Sequence, residues 1–130
     1  MKSILVKALA ICAAIGICAV ASADTRIDEV FTCQLSEGKT MDDVREVNSR
    51  WVVFMNANVK GGDISSNIVT TIVGNTTAGR FIFVDSFPSL ESWTVAKSAT
   101  TGDAEGEAID AGLGEVAECA ESRLYSSESS

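Results

Sequence analysis

The chain has 130 residues, with 10 basic and 18 acidic side chains, a formal net charge of −8 and no histidine. This length supports one domain with a modest core, and the acidic balance argues against nucleic acid or an anionic lipid surface as a partner. Without histidine there is no Ser-His-Asp or Cys-His pairing, no histidine to hold haem iron, and too few donors for a zinc site.

At the start of the chain, Lys2 and Lys7 form a positive segment and Ala8 to Val20 an uncharged apolar run. Ala21-Ser22-Ala23 supplies a small-x-small cleavage site. The run falls short of the roughly twenty residues that span a bilayer. Ile17, before Cys18, does not suit a lipoprotein signal. Residues 1–23 therefore read as a secretory signal peptide, and the product is expected to be exported, periplasmic or extracellular, with no membrane attachment after cleavage. Losing Lys2 and Lys7 leaves 8 basic against 18 acidic residues, a net charge of about −10. Cys12 and Cys18 leave with the leader; Cys33 and Cys119 remain as an even pair in an oxidising compartment, which reads as a disulfide.

From Glu29 to Leu35 the chain is rich in β-formers, and Ser36-Glu37-Gly38 makes a turn. Thr40 with Asp43 is a capping-box pair that opens a helix, acidic at its positive end. Val44, Val47, Asn48, Trp51, Val52 and Met55 share its apolar stripe, which fades at Asn56-Ala57-Asn58. Lys60 to Asp63 turns the chain into a strand expected over Ser65–Val73, and residues 74–79 are a connector. Arg80 to Phe87 reads as a central strand, stopped by Pro88. Ser89–Ala99 and Asp103–Glu118 are expected as helices, the second weakened by Gly106, Gly112 and Gly114. Arg123-Leu124-Tyr125 is a short last strand, and residues 126–130 are expected as a disordered tail beyond a single α+β domain at 24–125.

This β-α-β-β-α-α-β order is the split βαβ pattern of a ferredoxin-like fold, an antiparallel sheet with helices on one face. In such a sheet the first strand neighbours the last, which brings Cys33 beside Cys119. Ile68, Thr70 and Ile72 alternate with Val69, Thr71 and Val73, so both faces of that segment are apolar or β-branched. One face can meet the helices; a second copy of the chain is expected to cover the other, making a homodimer.

Two motif-like stretches have simpler explanations. Gly38-Lys39-Thr40 imitates the end of a phosphate-binding loop, but Cys33 stands where the first glycine is needed. Asp103, Glu105, Glu107 and Asp110 lack the order of a calcium loop and fit the start of a helix.

The order of elements, the helix around Asn48-Ser49-Arg50-Trp51, and the segment Phe81 to Phe87 followed by Ser89-Leu90-Glu91-Ser92-Trp93 resemble the dimeric α+β barrel superfamily. That superfamily includes antibiotic-biosynthesis-type monooxygenases and NIPSNAP-like proteins. The resemblance spans roughly residues 27–125 and implies a dimer with a cleft between sheet and helices; fold alone assigns no chemistry. Haem-degrading members use a histidine that this chain lacks, so no cofactor is expected. Cofactor-independent oxygenases of the superfamily use scattered Asn, Trp and Thr residues, and no position here is assigned as catalytic.

Asn48, Trp51, Asn67 and Trp93 are the candidate ligand-binding residues. Trp51 and Trp93 sit at helical spacing from Val47 and Leu90, which fits either core packing or the wall of a cleft. Asn48 is a polar residue on an apolar stripe and must find a partner or face a cavity. Arg80 and Asp85 flank the apolar run of the central strand and can mark strand ends in water. The leading expectation is non-enzymatic binding of a small apolar or aromatic ligand in the sheet–helix cleft. The alternatives are a cofactor-independent monooxygenase and a structural or protein-interaction module.

Overall fold

The computed structural model describes residues 24–130, so the leader expected at 1–23, with Cys12 and Cys18, lies outside the described residues. The chain runs β1 (Thr25–Leu35), α1 (Met41–Asn58), β2 (Ser65–Val69), β3 (Arg80–Phe87), α2 (Leu90–Ala99), α3 (Ala104–Val116) and β4 (Ala117–Glu128). The strands form one antiparallel sheet in the order β2-β3-β1-β4. This is the ferredoxin-like α+β arrangement that the element order predicts. All three helices contribute to the two apolar clusters that cover one face of the sheet.

Local chemistry starts each helix. The Thr40 hydroxyl accepts from the Asp43 amide while the Asp43 carboxylate accepts from the Thr40 amide at 2.7 Å, completing the expected capping box. Ser89 caps α2 by accepting from the Ser92 amide, one residue after Pro88. Asp103 caps α3 by accepting from the amides of Glu105 and Gly106, and Glu107 accepts from the Gly102 amide. Gly106 is there for packing. A Cβ at that position would lie 2.6 Å from the Thr100 Cα and 2.8 Å from the Phe54 ring.

Strand lengths depart from the sequence reading for one reason: a strand extends only as far as it has a partner. Val69 already faces Ile82, and β3 begins at Arg80, so residues past Thr71 have no strand to pair with. β2 ends at Val69, two residues short of that limit, and Ile72 and Val73, beyond it, lie in the connector, 91% and 89% exposed. At the other edge, β1 begins at Thr25 and offers a longer template. β4 pairs along all of it, from Ala117 opposite Leu35 to Glu128 opposite Thr25. Ser126 to Glu128 are thus strand rather than tail, and α3 ends at Val116 rather than Glu118. Ala120 is skipped in the register, a bulge that re-phases the alternation of β4.

At that bulge Cys33 and Cys119 are direct partners, with an S–S distance of 2.01 Å and Cα atoms 4.0 Å apart. The bridge joins residues 86 apart in sequence, and closing such a loop stabilises the fold by roughly 4–5 kcal/mol in the chain-entropy view. Reduction is expected to lower the Tm by more than about 15 °C in a domain of this size. A melting curve unchanged by reductant, or two free thiols by mass spectrometry of the non-reduced protein, would contradict it.

Candidate functional site

The helix-facing residues of β1 are Ile27, Glu29, Phe31 and Cys33, and their partners on β3 are Phe87, Asp85, Phe83 and Phe81. Ile27 and Phe87 join an apolar cluster with Trp51, Phe54 and Met55 of α1. Phe31, Cys33, Phe81 and Phe83 join a second cluster with Val44 and Val47. A polar row lies between them. Glu29 faces Asp85, Asp85 faces Ser66 on β2, and Asn48 reaches the row from α1. The two apolar clusters cannot merge across it, because closing the seam would strip four polar side chains of partners and water.

The seam opens into a cavity of about 370 Å³. Phe31, Phe83, Phe87, Trp51 and Leu113 form apolar walls, and Glu29, Asp85, Asn48 and Lys97 place polar atoms among them. Trp51 and Phe87 meet edge to face with ring centroids 6.4 Å apart, which holds that wall in place.

The two carboxylates of the row are treated differently. Glu29 is 6% exposed and well partnered. The Trp93 indole Nε1 donates to its Oε2 at 2.8 Å, and the Lys97 ammonium donates to its two oxygens at 3.1 and 3.2 Å. Lys97 also lies 5.5 Å from the centroid of the Phe31 ring. Asp85 is 8% exposed and has no cation of its own among the described ion pairs. Its Oδ1 is buried with no hydrogen-bond partner. Burial pushes its carboxyl up to about 6, and the neighbouring Glu29 charge adds to the rise. The Ser66 hydroxyl and the more distant Lys97 ammonium pull it down. The same hydroxyl exchanges hydrogen bonds with the Asn48 amide at 3.1 and 3.2 Å. Asp85 is therefore a carboxylate that moves between its two protonation states near neutral pH, beside an apolar cavity.

Of the four candidate residues, Asn48 and Trp51 line the cavity. Trp93 stands behind Glu29 and touches the site through its indole N–H. Asn67 is not brought to the others. It pairs with Val84 on the opposite face of the sheet and is exposed, since β2 turns only Ser66 and Ile68 toward the helices. Arg80 is exposed at a strand end as expected, whereas Asp85 is buried in the sheet rather than in water. Glu29, Asp85 and Lys97 are the residues that the sequence reading missed. Strict alternation carries the signal: Phe81, Phe83, Asp85 and Phe87 share one face, as do Ile27, Glu29, Phe31 and Cys33. Among the described residues, no group of three or more Cys, Asp or Glu side chains is placed to hold a metal ion. No described helix is long and apolar enough to cross a membrane.

The fold resembles that of the dimeric α+β barrel superfamily, in line with the expectation from the element order. One similar solved structure is a mutant of SnoaB, a cofactor-independent oxygenase from Streptomyces nogalater. It is 11% identical with a TM-score of 0.58, over 83% of this chain and 97% of that one. A NIPSNAP family protein from Agrobacterium tumefaciens is 17% identical with a TM-score of 0.56, over 77% of this chain and 90% of that one. At these identities the likeness is one of fold. No family model and no curated protein sequence matches the chain.

Asp85 makes stability depend on pH, with a definite sign. Its folded-state value, about 6, lies above the ordinary 3.8, so the folded state holds the proton more tightly than the unfolded chain does. The resulting penalty is absent below about pH 4, grows as pH rises, and is complete above the folded value. Asp85→Asn is expected to raise stability at pH 7.5 by roughly 2–3 kcal/mol, since each tenfold change in proton affinity corresponds to about 1.4 kcal/mol. That gain should fade toward pH 4. Denaturant titrations of both proteins at the two pH values check it; a gain independent of pH, or a loss at pH 7.5, would contradict it.

Proposed function

We propose that the protein is a non-enzymatic binding protein that holds one small apolar or aromatic molecule in the cleft between sheet and helices. One observation carries this reading: the core is split by a polar row, and the split leaves a cavity of about 370 Å³ with aromatic walls. A few convergent polar groups on a mainly apolar lining are the usual make-up of a small-molecule site, and this volume lies at the small end of such sites. Asn48 and Trp51 contact the ligand directly, while Trp93 acts by holding Glu29 in place.

The protein works outside the cytoplasm, where the Cys33–Cys119 bridge persists, and it works as a homodimer. The sheet face away from the helices supports the second proposal. Val30, Ile82 and Val84 lie on it half-buried, with Val69 and Tyr125 exposed beside them. A second copy laid across this face removes that apolar surface from water. Turnover of an oxidisable ligand would consume oxygen, and a binding protein leaves oxygen uptake at background.

Gly114 supplies a blocking variant. It lines the cavity from α3, and nothing lies within 4 Å of where its Cβ would be. Gly114→Phe has open space for its Cβ, adds a ring at the cavity wall and replaces a poor helix former with a better one. Indole, a neutral aromatic probe, is expected to bind the wild-type dimer and to lose at least about tenfold in affinity to the blocked variant, a loss of about 1.4 kcal/mol. Equal binding to both, or a monomer in sedimentation at micromolar concentration, would contradict the corresponding part of the proposal.

A further inference from the structure

We infer that the cleft is built for an organic cation, a small aromatic or apolar amine whose ammonium group sits against Asp85; this rests on reading the cleft as a binding site. The charges around Asp85 come from three other elements. Glu29 stands on β1, Lys97 on α2, and Asp110 on the α3 rim of the cavity. Asn48 of α1 and Ser66 of β2, which meet the row, and Cys119 of β4, which lines the cavity, carry no charge. The lining thus holds three carboxylates and one ammonium. The ammonium is engaged, because Lys97 donates to both oxygens of Glu29. Among the described ion pairs Asp85 and Asp110 have no cation, so an anionic ligand meets repulsion that these residues do not offset.

A neutral donor and a cation are separated by the state of Asp85. Asp85 is 8% exposed and lines the cavity, and its buried Oδ1 has no hydrogen-bond partner, so the carboxylate charge is only partly compensated by the protein. A ligand hydroxyl that meets the carboxyl from the cavity offers it one hydrogen bond and no charge. A ligand ammonium offers both a hydrogen bond and the opposite charge that the carboxylate lacks, an attraction strengthened by the low dielectric around it. The protein has already desolvated Asp85 in folding, so the incoming cation bears only its own desolvation. Trp51, Phe31, Phe83 and Phe87 also turn aromatic surface to the cavity, and aromatic faces attract an organic cation but not an alcohol of the same shape. All three effects favour the amine.

Protonation of Asp85 removes the charge that selects the cation. Binding is therefore full above the folded-state value of about 6 and falls as pH drops through it.

Isothermal titration with three probes that share an indole body tests the inference: tryptamine, the neutral alcohol tryptophol, and indole-3-propionate. At pH 7.5 tryptamine is expected to bind at least roughly tenfold tighter than tryptophol, with indole-3-propionate weaker still. The advantage over tryptophol should shrink to less than about threefold at pH 5, and equally in Asp85→Asn at pH 7.5. Equal affinity for the three head groups, or an amine preference that survives in Asp85→Asn, overturns this inference and leaves the cleft reading intact. Absence of binding by all three overturns the cleft reading as well.

Discussion

The register between β1 and β3 sets Glu29 opposite Asp85, and the register between β3 and β2 sets Asp85 opposite Ser66. This one row of the sheet, met from above by Asn48, decides how the core is built. Apolar side chains close up on both sides of it, around Phe87 and Trp51 at one end and Phe81 and Val44 at the other. The row itself cannot be covered by packed hydrocarbon, because a buried carboxylate without solvent or partner is too costly. Glu29 resolves the problem with Trp93 and Lys97; Asp85 resolves it only in part. The result is an open seam, walled by aromatic rings, with a half-satisfied carboxyl group on its floor.

Several features at a distance keep that seam open. The close approach of α3 to Phe54 and Thr100 requires the missing Cβ of Gly106, and so sets how near α3 can come to α1. α3 passes without a loop into β4, whose first residues lie on the cavity wall. The bulge at Ala120 brings Cys119 to the helix-facing side opposite Cys33, where the bridge ties the wall to β1. Stability of the fold and shape of the cavity therefore share the same devices. A change that lets α3 drift would enlarge the cavity before it unfolds the domain.

The fold was legible because its signals are local and agree with one another. Thr40 with Asp43 marks a helix start whose capping box forms, the helices expected from Ser89 and Asp103 begin one residue later with those side chains as caps, and each β-rich run contains a strand. The strand ends were not legible, since they depend on partner length. Nothing within Ser65–Val73 says that β3 starts too late to pair with Val73, and nothing in the serine-rich end says that Thr25 waits opposite Glu128. The site was half legible. Asn48 and Trp51 stood out as a polar residue and an aromatic on one helical stripe. Glu29 and Asp85 did not, because each strand was read as an apolar run bounded by charge. Period-two reading places both acids on the buried face, and only their register makes them neighbours. Asn67 shows the same parity from the other side: one residue from Ser66, it faces away from the cleft.

The central claim is that Asp85 is a buried carboxyl left without a compensating charge. The most direct measurement is a carbon-detected NMR titration of its side-chain carboxyl in the ligand-free protein. A midpoint near 6 is expected, well above the ordinary 3.8 of an aspartate. A midpoint at or below about 4 would mean a solvated or fully paired group, and would contradict a seam held open by an uncompensated carboxyl.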